Sequence, residues 1–348
     1  MTLESLSPMH LQHQPLRLVP LAMNHGRLAS FAPYVPAVDD SGRVAFQSTL
    51  ANGHSALLVH DGAGLTTWAS TEDPSLPVAS FCSHPDLRPG GQVCAYATLR
   101  DGSQALACMT GPGQLNLLGQ PPQLAGIGPL GPTMNRHDQV AVRGRLATGR
   151  SCVALIQGLV CQVLAQEDAG LKAFEGLPVV NDSGQVAFKA QHQDGSEVVA
   201  LQTGQARVIV ARSGGAMAEI RPFVTLDNLG RVGFAAADAN GQPALFLGGP
   251  GGCERLTGSD EGFESYRGLL VNDQGPVVFY GTPIGGTLGI YCGPHPVQHR
   301  LLGLGDAWEG GIVSGFALNP VSVNAHGQIA VRLALADGRE FILRGDPS

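Results

Sequence analysis

Eight side chains in this sequence have the chemistry to bind or transform a small molecule, provided the fold brings them together: Glu175, His84, Tyr266, Arg221, Arg267, Tyr34, Asn319 and Trp308. Glu175, His84 and the tyrosine Tyr266 can take up and release protons, while Arg221 and Arg267 can hold a carboxylate or steady an oxyanion. Tyr34 and Asn319 add hydrogen-bonding groups, and Trp308 a ring that covers a ligand or, equally, caps a core. Such a set would support acid–base chemistry without a metal or any other cofactor, as in a lyase, cyclase or hydrolase acting on a small polar or anionic molecule. The same residues would also serve a non-catalytic module that recognises a small ligand or a partner protein. In the plainest reading, Glu175 pairs with an arginine and the others line a wet channel.

Other motifs point away from familiar chemistries. His25, His54, His60, His84, His137, His192, His295, His299 and His326 are scattered, and no pair has metal-ligand spacing with a nearby carboxylate. Gly248 to Gly252 (GGPGG) lacks the lysine and helix of a phosphate loop and reads as a turn. Neither a GxSxG elbow nor a CxxC pair occurs. The seven cysteines, Cys82, Cys94, Cys108, Cys152, Cys161, Cys253 and Cys292, sit mostly at apolar strand positions, so buried free thiols are expected.

What must position the eight residues is a repeat. A turn followed by an apolar strand recurs as DDSGRVAF, RPGGQVCAY, NRHDQVAV, NDSGQVAF, DNLGRVGF, NDQGPVVF and NAHGQIAV. Its register residues are Gly42, Gly91, Asp138, Gly184, Gly230, Gly275 and Gly327, at steps of 49, 47, 46, 46, 45 and 52 residues. A second glycine lies 11 residues after each of them: Gly53, Gly102, Gly149, Gly195, Gly241, Gly286 and Gly338. Asn or Asp opening the first turn can bond its own backbone, and glycine supplies the positive φ of a tight reversal. Each unit therefore reads as a four-strand antiparallel meander, a to d. Seven such units predict an all-β, seven-bladed β-propeller spanning residues 1–348 as a single domain.

The last unit stops after strand c, at Glu340 to Arg344. The segment Leu16 to Ala22 reads as an outer strand, so it is expected to pair there and close the ring, removing an open edge. Residues 1–15 are expected to be poorly ordered.

The connections from strand d to the next strand a are long and differ in every unit, whereas the a-b turns are short and alike. Variable loops on a rigid scaffold are where function usually sits. Tyr34, Ser83 with His84, Glu175, Arg221, Tyr266 with Arg267, and Asn319 lie about five or six positions before the turn residue of their units. They are thus expected to converge on one mouth of the central channel, with the a-b turns of the other mouth purely structural.

The markers resemble the tandem NxxGxxAF repeats of a broad group of bacterial β-propeller proteins, NDSGQVAF (Asn181 to Phe188) most closely, across nearly the whole chain. The resemblance implies the fold and no activity. With 21 basic against 28 acidic residues the chain has a net charge of −7, which excludes the dense basic surface of a nucleic-acid binder. No stretch approaches the roughly 18 apolar residues of a membrane span. The expectation is a cytoplasmic protein with a small-molecule partner, no nucleic acid and no membrane.

Overall fold

The computed structural model describes residues 11–88, 90–119, 123–168, 170–258 and 261–348. Among them the strands form seven antiparallel sheets, one for each repeat unit. In blade four, Leu171–Val180, Val186–His192, Glu197–Thr203 and Ala206–Arg212 pair in chain order. Leu16–Met23 supplies the missing outer strand of blade seven. It runs antiparallel to Glu340–Pro347, with Leu16 opposite Pro347 and Met23 opposite Phe341, as the sequence predicts. The expectation of poor order falls mostly on residues 1–10, outside the described residues. Beyond them Leu11 is buried in the core between blades five and six, and the Gln14 amide donates to Cys292 O at 2.8 Å.

The repeated xAF triplet is explained by how blades stack. Both faces of every blade are buried, so Phe and Ala of one strand look in opposite directions. Phe234 of blade five packs back against blade four, in the same core as Ala187. Phe46 meets Ala330 across the seam between blades seven and one, and Phe188 meets Ala141 of blade three. In blades one, four and five a large ring therefore fits over a small residue of the preceding blade, which helps alike units fill the wedges between them. In blade five the small position is Gly233, where a Cβ would lie 2.8 Å from both Thr225 Oγ1 and Val271 Cγ1 of its surroundings.

Where an asparagine opens the a-b turn it does two jobs. Asn181 Oδ1 accepts from the Gln185 amide inside its own turn, and Asn181 Nδ2 donates to Asp227 O in the next blade at 2.9 Å. Asn135 and Asn324 do the same, reaching Asn181 O and Asp39 O. Each of these three asparagines also donates to the glutamine four positions on, at 2.8 Å. Where aspartate replaces asparagine, arginine replaces that glutamine. Asp227 pairs with Arg231, and Asp39 with Arg43. A carboxylate cannot donate across the blade seam, so the arginine does: Arg231 reaches Asp273 O at 3.0 Å. The register glycines take positive φ, and Asp138, which stands for glycine in blade three, takes φ 61°.

Two details differ from the sequence reading. In blade six the hairpin residue with positive φ is Gly285, at 69°, not Gly286. Cys94 and Cys108 are not free thiols; they form a disulfide across paired strands of blade two, with Cα atoms 4.4 Å apart. The b-c hairpin places the two cysteines directly opposite one another, a relation that a search for short cysteine spacings does not test. The other five cysteines are free.

Candidate functional site

Strand a is the innermost strand, and in every blade its pairing with strand b fails at the same place. Blades one to three interrupt it, as between Leu124–Ile127 and Thr133–Met134. Blades four to six bulge it, between Glu175 and Val179, Ile220 and Val224, and Tyr266 and Gly268. Backbone carbonyls released there need partners. Several come from one position of strand b, five residues after the register residue, which holds Gln47, Tyr96, Arg143, Lys189, Ala235, Tyr280 and Arg332; of these Gln47, Arg143, Tyr280 and Arg332 donate to backbone carbonyls of the next blade. Gln47 donates to Phe81 O at 2.9 Å, Arg143 to Gly176 O at 2.8 Å and Tyr280 to Leu318 O at 3.1 Å, each across the seam into the next blade. This second polar ring was not singled out in the sequence, although counting five residues on from each register residue finds it.

The candidate residues are distributed around this ring rather than gathered. Glu175 accepts from Lys189 Nζ at 2.8 Å, and the ammonium, only 2% exposed, also donates to Glu197 at 2.5 Å. Arg221 and Glu219 form an exposed pair at 2.7 Å. His84 is buried against Gly131 with Nδ1 3.2 Å from Pro85 O and no partner for Nε2. Burial pulls its pKa down to about 4, so the ring is neutral at physiological pH. Tyr266 is buried in an aromatic cluster with Phe263 and Phe279, and its hydroxyl donates to Gly258 O at 3.0 Å. Tyr34 is half-buried, with its pKa raised by burial and by the nearby Cys82. Trp308 packs against the core between blades six and seven.

Arg267 and Asn319 are the two that come together. With Phe223, Leu288, Phe316 and Tyr280 they line a recess of about 260 Å³ between blades five, six and seven, on the side of the d-a connections. Tyr280 stacks on Phe316, ring centroids 5.9 Å apart. Its hydroxyl accepts from the Leu318 amide at 2.7 Å as well as donating to Leu318 O, and burial drives its pKa up. Asn319 serves its own loop, since its Oδ1 accepts from the Val321 amide and caps a short 3-10 turn, Pro320–Ser322. Arg267 has no such engagement. Its guanidinium is exposed and makes no hydrogen bond or ion pair among the described residues.

The opposite mouth is narrower and differently built. All seven a-b turns meet around an opening of about 150 Å³. Its carboxylates are engaged in capping: Asp182 Oδ1 accepts from the Arg136 amide at 3.1 Å, Asp273 from Asn228 at 2.7 Å, and Asp40 from Ala325 at 2.9 Å. In the wall of this mouth the sequence reading passed over Asp86. Its buried carboxylate accepts from the Met134 amide at 2.6 Å and the Leu87 amide at 2.7 Å, yet desolvation still pushes its pKa up to about 7. Among the described residues no cluster of three or more His, Cys, Asp or Glu could hold a metal.

No protein-family model matches the chain, and no curated protein does either. Solved structures do. An oligogalacturonate lyase from Vibrio parahaemolyticus superposes with a TM-score of 0.59 at 9% identity, covering 97% of this chain and 98% of its own. An oligogalacturonate lyase in complex with manganese gives 0.57 at 12% identity, over 96% and 98%. A prolyl endopeptidase gives 0.57 at 8% identity, covering 90% of this chain and 50% of that longer one. What these likenesses share with the repeat motif is the seven-bladed β-propeller fold, and fold is as far as they reach.

Proposed function

We propose that this propeller is a binding module for a small, largely apolar anion, held in the recess between blades five, six and seven. The observation that supports this most is Arg267, a guanidinium without a partner among the described residues, at the edge of a wall made by Phe223, Leu269, Leu288, Phe316 and Tyr280. An apolar wall with one convergent charge is the usual construction of a small-molecule site. A dry cavity of about 150 Å³ accepts benzene, so about 260 Å³ suits an aromatic ring with a short carboxylate-bearing chain.

The binding reading is preferred to a lyase, cyclase or hydrolase on one specific ground. Glu175, Arg221, His84 and Tyr266 each have an internal partner or a buried, neutral state, and none of them lines the recess. Acid–base chemistry needs its groups within hydrogen-bond reach of one reacting atom.

Isothermal titration with 3-phenylpropionate tests the proposal. The wild-type chain should bind it saturably, and Arg267→Gln should weaken binding about tenfold, the usual worth of a charged hydrogen bond. Leu288→Trp should block the recess, whereas Arg221→Gln should change nothing. Absence of binding by the wild type, or equal affinity in Arg267→Gln, overturns it.

A further inference from the structure

A second feature stands apart from that recess. At the inner edge of blade three, on the same side of the ring, lies a cleft of about 430 Å³ that Gln104 of blade two also borders. One wall is strand Val140–Leu146, from which Arg143 and Arg145, two residues apart, project on the same side. Beside it, hydrogen-bonded to it in the same sheet, runs the bulged edge strand Leu124–Ile127, where Gly126 and, just after the strand, Gly128 present bare backbone. A Cβ on Gly126 would meet only Gln104 Oε1, at 3.7 Å, and one on Gly128 would meet nothing within 4 Å.

Every charged group lining the cleft is a cation. Arg143 spends one nitrogen on Gly176 O and keeps the rest of its fork. Arg145 is exposed and makes no hydrogen bond or ion pair among the described residues. Gln104 of blade two accepts from the Ile127 amide. The flanking carboxylates have other partners: Glu167 accepts from the Ser151 amide, and Glu175, whose charge Arg143 feels, accepts from Lys189.

The repeat does not explain the second arginine. Arg143 occupies the strand-b position whose side chains satisfy the loosened carbonyls of the next blade, so the fold has a use for it. At the position of Arg145 the other six blades carry Thr49, Thr98, Gln191, Ala237, Thr282 and Ala334, none of them charged. The like charge of two guanidiniums on one strand face is unfavourable unless something between them neutralises it.

We infer that this cleft binds a phosphate dianion, carried by a small phosphorylated metabolite or present as free phosphate. Two planar guanidinium forks on one strand face match the oxygens of a phosphate, and the bare glycine backbone beside them leaves space for the group it esterifies.

Isothermal titration at low salt, using ribose 5-phosphate and inorganic phosphate in separate arms, tests the inference. The wild-type chain should bind at least one of them. Tighter binding of the ester assigns a phosphorylated metabolite, and equal or tighter binding of inorganic phosphate assigns the free ion. Arg145→Gln, at an exposed position, should weaken binding about tenfold with the unfolding midpoint unchanged. Gly126→Val, which fills the cleft and leaves both charges in place, should weaken it as well. Arg267→Gln, in the other recess, should leave it intact and so separates this site from the anion site proposed above. No binding in either arm, or undiminished binding in Arg145→Gln, overturns the inference, as does loss of binding in Arg267→Gln alone.

Discussion

The two ends of the central channel are made from the same seven strands and have opposite characters. At the a-b turn end most blades solve one problem with either Asn and Gln or Asp and Arg, and these side chains are committed to their own turn or to a neighbouring one. At the other end the inner strands loosen, the loops differ, and the guanidiniums of Arg145 and Arg267 have no partner among the described residues. Chemistry that repeats seven times is chemistry the ring needs to close. What departs from the repeat is free to serve a ligand. Asp40, Asp182 and Asp273 are the instructive case: an acidic rim around an axial opening invites a functional reading, yet these carboxylates accept backbone amides of the preceding blade.

The contrast can be broken most directly by stability. Asn181→Leu removes the turn's internal acceptor and strands a buried carbonyl of blade five, so it should cost about 3 kcal/mol in urea unfolding. Arg267→Gln at the other mouth should cost less than about 0.5 kcal/mol. Similar losses at the two sites would mean that the ends are not energetically distinct.

A second test uses two buried groups near the seam of blades two and three that titrate in opposite senses. His84 has an ordinary value of 6.5 and a folded value pushed down to about 4, so between these the unfolded chain holds more protons. Its contribution therefore makes stability rise with pH across that window. Asp86 has an ordinary value of 3.8 and a folded value pushed up to about 7, so there the folded chain holds more protons and stability falls as pH rises. In wild type the two slopes oppose each other. Relative to it, Asp86→Asn should make the urea midpoint climb more steeply from pH 4 to 6.5, and His84→Gln should make it climb less or fall. If both variants shift the slope in the same direction, one of these assignments is wrong.

The smallest expected effect sharpens the account of the turns. Asp39→Asn and Arg43→Gln together convert the blade-one turn to the Asn and Gln pairing of blades three, four and seven. Each single change should destabilise, and the double variant should recover about 1 kcal/mol relative to their sum. Strict additivity would show that the two pairings are not alternative solutions to one problem.

Much of the architecture was legible because it is periodic. Turn residues with local hydrogen bonding and glycines with positive φ announce themselves in sequence, and seven equal spacings leave little choice of fold. The closing strand Leu16–Met23 was legible by subtraction, since the last unit lacks an outer strand. The candidate site was legible only in part. Arg267 and Asn319 meet at one recess, but Tyr266, adjacent in sequence to Arg267, points to the opposite side of its strand and packs between blades. Spacing from the turn residue locates a position along strand a and not which way a bulged strand turns its side chains. Tyr280 and Phe316, two walls of the recess, were not singled out because they belong to different blades.

What the sequence determined by itself is therefore whatever depends on near neighbours: seven meanders, the residues of their turns, and an unfilled edge that the chain's own beginning can cover. Tertiary structure alone decided the rest. It set Cys94 opposite Cys108, turned Glu175 towards Lys189, and left the guanidiniums of Arg145 and Arg267 without partners among the described residues. The physical reason is that hydrogen bonds within a turn span a few residues and recur with them. A side chain at a seam, by contrast, is oriented by groups roughly 45 residues or more away, which no local pattern records.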